Sequence, residues 1–193
     1  MGAPMSYSRN AEIYGEDEPA EYVYKVISGS VRTYRILSDG RRQIGAFYLP
    51  GDIFGLEVGD EHHFSAEAIS DAKILLIKRT ALVGLANRDG EVARQLRSFT
   101  ARELNRVHDH MLLLIKNAQQ RVASFLLEMA ERLADTEAVE LPMSRQDIAD
   151  YLGLTIETVS RTLTQLESEA AIALPTSRRI VLRNRRALSE MNA

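Results

Sequence analysis

Ser144-Arg-Gln-Asp-Ile-Ala-Asp-Tyr-Leu-Gly-Leu-Thr-Ile-Glu-Thr-Val-Ser-Arg-Thr-Leu-Thr-Gln-Leu-Glu167 reads as two short helices joined by a tight turn. Ile148, Ala149 and Leu152 recur at one-turn spacing and give the first helix an apolar face. Gly153 follows where a left-handed residue ends a helix at least cost. Thr155 can cap the second helix by accepting from the amide of Glu157 or Thr158. Val159, Leu163 and Leu166 form the buried stripe of that helix, leaving Ile156, Glu157, Ser160, Arg161 and Thr164 outside. A short outer face with Glu, Ser and Arg within one turn suits insertion into a DNA major groove. There Arg can grip guanine O6 and N7, and Glu can accept from cytosine N4. The plainer alternative is a helical hairpin with solvated charges.

Composition sets the bounds. A chain of 193 residues can bury one generous core or two modest ones. Its 45% hydrophobic and 26% charged content is that of a soluble globular protein. It contains no run of apolar residues long enough for a membrane span, and Met1 to Asn10 lack a secretory layout. Cysteine is absent, which excludes disulfides, cysteine-ligated clusters and thiol switching within the chain. A cytoplasmic protein is expected. The net charge of −3 is unevenly spread. Residues 172 to 193 hold five arginines against Glu190, a net +4, whereas residues 1 to 140 hold 17 bases against 21 acids, a net −4. The basic excess sits beside the helical pair, where phosphates would be met.

The first 80 residues read as β-structure. Runs at Tyr22–Ile27, Val31–Leu37, Gln43–Leu49, Ile53–Gly55, Phe64–Ile69 and Lys73–Ile77 are separated by turn signals, Ser38-Asp39-Gly40-Arg41 the strongest. They predict a small antiparallel barrel or roll. From Gly90 to Asn117 the period becomes helical. The stripe Leu96, Phe99, Glu103, Val107, His110, Met111 and Leu114 exceeds what one roll face needs and predicts a helix shared with a symmetric partner. Asn117 predicts a break and hinge, followed by a helix over Ala118–Ala134 and a polar connection over Asp135–Glu140. After the helical pair, Ala173–Leu182 reads as strand, turn, strand, which makes a winged helix. The expected fold is α+β. Its parts are an antiparallel β-roll over 1–89, a long dimerisation helix over 90–117 and a winged helix-turn-helix over 118–193. No nucleophile–base pair, metal-ligand spacing or phosphate loop is present, so an enzyme is not expected.

This plan resembles the Crp/Fnr superfamily of transcription regulators. Asp147-Ile-Ala-Asp-Tyr-Leu-Gly-Leu-Thr-Ile-Glu-Thr-Val-Ser-Arg161 looks like its helix-turn-helix signature. Glu157, Ser160 and Arg161 resemble the Fnr and FixK branches; the cyclic-AMP receptor branch has Gly in place of Ser160. Tyr22-Val-Tyr-Lys-Val-Ile-Ser-Gly-Ser-Val-Arg32, Leu49-Pro-Gly-Asp-Ile-Phe-Gly-Leu-Glu57 and His62-His-Phe-Ser-Ala-Glu-Ala68 are most similar to FixK-type regulators. The resemblance spans residues 11 to 187. At His63-Phe64-Ser65-Ala66 the arginine that holds a cyclic phosphate in the cyclic-nucleotide branch is missing. No cofactor and no cyclic nucleotide are therefore expected. Haem ligation through His62 or His63 is the competing idea, set against a His pair simply solvated on a polar turn.

The resemblance implies a homodimeric activator of low-oxygen, respiration or nitrogen-fixation genes that needs no effector and reads a TTGA/TCAA palindrome. The alternative is a small-molecule- or haem-gated regulator of the same superfamily. By resemblance Arg161 donates to the guanine, Glu157 accepts from the cytosine opposite, Ser160 contacts a thymine and Ile156 meets a thymine methyl. Ser144, Arg145, Gln146, Thr155, Thr158, Arg178 and Arg179 are the candidates for phosphate contacts. The implied partners are double-stranded DNA, a second copy of the chain and RNA polymerase.

Overall fold

The computed structural model describes residues 2–57, 59–133 and 137–191. The chain divides into two compact units, residues 1–108 and 109–193.

The first unit is the β-roll. One antiparallel sheet has the order β1 (Gly2–Tyr7), β8 (Ala72–Lys78), β3 (Tyr22–Ser28), β6 (Ile53–Phe54). The other has the order β2 (Glu12–Tyr14), β7 (Ser65–Ala68), β4 (Val31–Ile36), β5 (Arg42–Tyr48). Alternation along these strands turns Tyr24, Val26, Val31, Phe54 and Ile74 into a common core. The expected hairpin joins β4 to β5. The amide of Leu37 donates to the Arg41 carbonyl, and Gly40 takes φ +82°. Strands β1 and β2 and the short helix α1 (Arg79–Ala86) were not anticipated. Gly2-Ala-Pro-Met-Ser-Tyr7 has little strand propensity of its own; it is a strand because it pairs residue for residue with β8.

Helix α2 (Gly90–Leu114) crosses from the first unit into the second, so the boundary between units falls inside it. The helix ends three residues before the expected Asn117. Asn117 stands at the expected break, as the N-cap of α3 (Ala118–Arg132) in a reciprocal capping box with Gln120. The second unit continues through β9 (Ala138–Glu140), α4 (Arg145–Leu152), α5 (Ile156–Ser168), β10 (Ile172–Ala173), β11 (Arg179–Leu182) and α6 (Arg185–Glu190). The wing is a three-stranded sheet in the order β10-β11-β9, one strand more than expected. The third strand lies in the stretch read as a polar connection, whose residues 135 and 136 fall outside the described part. Residue 134, the expected end of α3, also falls outside it. Phe125, Leu126 and Met129 of α3, Leu152 of α4 and Leu166 of α5 are fully buried and form the core of this unit.

Candidate nucleic-acid interface

Helices α4 and α5 form where their local chemistry says they should. The Ser144 hydroxyl accepts from the amide of Asp147 at 3.1 Å, and the Asp147 carboxylate accepts from the amide of Ser144 at 3.0 Å. Gly153 closes α4 at φ +62° and ψ +39°, the left-handed region. Thr155 caps α5 by accepting from the amide of Thr158 at 3.2 Å. Ile148, Ala149, Leu152, Val159, Leu163 and Leu166 are all buried. That burial fixes the outer face of α5. Glu157 and Arg161 are exposed there one turn apart, and Ile156 is 36% exposed despite being apolar. The Glu157 carboxyl is held below the usual range by its own backbone N–H, then by the Thr155 hydroxyl. It therefore stays an acceptor-only carboxylate at neutral pH. Arg161 makes no hydrogen bond or ion pair among the described residues, leaving its five donors available.

The other predicted contacts are more engaged. Ser160 is half-buried, and Nη1 of Arg145 donates to its Oγ at 3.4 Å. Gln146 donates to Asp150 at 2.7 Å. The hydroxyls of Thr155 and Thr158 lie 3.1 Å apart at the N-terminus of α5. Arg178 and Arg179 stand on the wing, where the Thr176 hydroxyl accepts from both of their amides. The Ser144 hydroxyl is committed to Asp147.

The predicted partner-facing stripe on α2 divides into two groups. Val107 is 57% and Met111 59% exposed. Leu96, Phe99, Glu103, His110 and Leu114 are only partly exposed. Glu103 accepts from the Tyr48 hydroxyl at 2.9 Å and pairs with Arg106 at 3.1 Å, so it faces its own roll. Burial, then the neighbouring Glu103 charge, raises the Tyr48 pKa and keeps the phenol a donor. The His110 ring lies 4.1 Å from that of Tyr151 on α4. Leu114 approaches the backbone of Gly153. The outward apolar row also contains Leu104, Leu112 and Ile115, which the heptad register passed over. Their signal was present: Leu104, Val107, Met111 and Ile115 follow helical spacing one residue away from Glu103 and His110.

The two adjacent histidines also separate. His63 is exposed, but His62 has no exposed surface. Its ring stacks on Tyr14 at 3.5 Å, and its Nδ1 lies 3.0 Å from the Glu57 carboxylate. The expectation of a solvated pair is corrected for His62, which the roll packs into its interior. A cavity of about 330 Å³ lies between the roll and α2 within the first unit. Tyr14, Phe54, Phe64 and Leu104 supply apolar walls, and Glu57 and Glu103 supply carboxylates. Among the described residues, no lysine or arginine lines it.

A β-roll followed by a long helix and a winged helix-turn-helix is the architecture of a ligand-type domain joined to a DNA reader. Residues 4–89 match the cyclic nucleotide-binding domain family, and residues 120–191 match the Crp-like helix-turn-helix domain. The chain belongs to the Crp/Fnr family of DNA-binding transcription regulators. It is 52% identical to the nitrogen fixation regulation protein FixK of Azorhizobium caulinodans, covering 100% of this chain and 80% of that protein. It is 42% identical to FixK of Rhizobium meliloti, over 98% of this chain and 90% of the other. The solved structure of FixK2 from Bradyrhizobium japonicum superposes with a TM-score of 0.95 at 56% identity, covering 100% and 98% of the two chains. Members of this family are regulators rather than enzymes. No helix among the described residues is long and apolar enough to cross a membrane.

Proposed function

We propose that the chain works as a homodimeric activator that reads a TTGA/TCAA palindrome without a bound effector, in the cytoplasm, and recruits RNA polymerase. Its targets are nitrogen-fixation or low-oxygen respiration genes, a reading supported by its similarity to proteins named as nitrogen fixation regulators. The exposed pairing of Glu157 and Arg161 on one turn of α5 carries the reading. Arg161 reaches guanine O6 and N7, and Glu157 accepts from the cytosine N4 opposite. Ser160 meets a thymine, and the half-exposed Ile156 packs on a thymine methyl. Gln146, Arg178 and Arg179, with the cap residues Ser144, Thr155 and Thr158, lie along the phosphates. The Leu104, Val107, Met111 and Ile115 row supplies the seam with a second copy, whose α5 enters the next major groove one helical turn away.

The wall chemistry of the roll cavity supports independence from cyclic nucleotides. A cyclic phosphate there would face Glu57 and Glu103, and the arginines paired with them, Arg79 and Arg106, do not line the cavity. The same apolar walls favour the second reading, in which a small apolar molecule gates the protein. Footprinting the purified, dialysed protein on a TTGA/TCAA duplex tests both. Protection of the palindrome without additive, unchanged by cyclic AMP, supports the first. Protection that appears only after a small molecule or haem is added overturns effector independence.

A further inference from the structure

We propose that Arg145 is a positioning residue for base reading: it holds the Ser160 hydroxyl as a hydrogen-bond donor toward DNA. The inference rests on the reading of Ser160 as a base contact. Arg145 is the first residue of α4, and the Ser144–Asp147 capping box fixes its backbone. From there Nη1 reaches across to α5 and ends 3.4 Å from the Ser160 Oγ. The Nε is buried without a hydrogen-bond partner among the described residues, so the root of the guanidinium is enclosed between the two helices.

The consequence follows from what each group can do. A guanidinium has donors only, so Ser160 must accept in this contact. One hydroxyl lone pair is then occupied beside a cation, and the O–H proton turns away from it. A serine alone reads donors and acceptors alike, and therefore distinguishes bases poorly. A serine with one lone pair already taken by a cation is biased toward presenting its proton, and so favours an acceptor on the base edge. Thymine offers O4 at the position where cytosine offers the N4 amino donor. Arg145 therefore converts an ambiguous side chain into one that prefers thymine to cytosine, without touching the base.

The test uses the full chain and a duplex library randomised across one half-site, with selection profiles for wild type, Ser160→Ala, Arg145→Gln and the double variant. Arg145→Met, of similar reach but without donors, is a second probe, and circular dichroism verifies folding. Loss of one such hydrogen bond should lower the thymine-over-cytosine preference at the Ser160 position about fivefold per half-site. Ser160→Ala and both Arg145 variants should lose it alike, and the double variant should lose no more. An unchanged profile for the Arg145 variants, with weaker binding to all sequences and a shallower salt slope, overturns the inference and makes Arg145 a phosphate anchor. If Ser160→Ala leaves the whole profile unchanged, the reading of Ser160 as a base contact fails, and the inference fails with it.

Discussion

Nη1 of Arg121 donates to the main-chain carbonyl of Leu152 at 2.8 Å, so a side chain of α3 caps the C-terminus of α4. The same guanidinium donates through Nε to the carbonyl of Lys116 at 2.8 Å and through Nη2 to that of Leu114. The Leu114 and Leu152 carbonyls belong to helix ends, which have no partners within their helices and carry partial negative charge, and Lys116 lies in the link between α2 and α3. One arginine thus fastens the end of α2 and the helix-turn-helix turn to the same point on α3.

Removing that clamp should destabilise the second unit more than a surface change. Arg121→Ala leaves carbonyls at two helix ends without a donor. The cost should be about 2–3 kcal/mol, that of a half-buried charged hydrogen bond. Urea denaturation followed by circular dichroism measures it. A loss no larger than that of a surface substitution would show that water replaces the guanidinium freely.

Specificity and affinity should separate between α5 and the wing. Arg161→Ala should cost about 1–3 kcal/mol per half-site on the TTGA/TCAA palindrome and relax preference at the guanine. Arg178→Ala should weaken all sequences alike and lower the salt slope by about one. Titration of matched and mismatched duplexes at several salt concentrations distinguishes the roles; equal relaxation from both would reject them.

Placing a carboxylate on the outward row of α2 should split the dimer. Val107→Glu or Leu104→Glu would bury an unpaired charge in the seam, at a cost of several kcal/mol. Analytical ultracentrifugation should then find monomers that bind a full palindrome poorly. Dimers that persist in both variants would place the interface elsewhere. Glu103→Gln, on the side facing the roll, should leave the dimer intact.

Acid should loosen the contact between α2 and α4. Burial lowers the His110 pKa below its ordinary 6.5, and the ring faces Tyr151. Between the depressed folded value and the ordinary unfolded value, the unfolded chain binds more protons. Stability should therefore fall as pH drops through 6.5 toward the folded value and stop falling below it. His110→Gln should flatten this segment of the stability–pH profile. A profile with the same slope in the variant would assign the acid sensitivity to other groups.

What the sequence determined by itself was local. The caps at Ser144 and Thr155, the left-handed Gly153 and the buried stripes of α4 and α5 depend on neighbours within one or two turns, so periodicity and cap chemistry were enough to place them. The β4–β5 turn was legible for the same reason. Tertiary structure decided the rest. Strand β1 exists through pairing with residues about seventy positions away, and β9 through pairing with β11, which no local pattern encodes. The face of α2 turned outward depended on what its other face met. Tyr48 draws in Glu103, and Tyr151 packs against His110, although both residues fit a heptad seam. His62 and His63 are adjacent in a polar run, yet one is buried and the other exposed. Side-chain direction along an irregular segment has no period from which to infer it; stacking on Tyr14 sets it, a contact that exists only once the roll has closed.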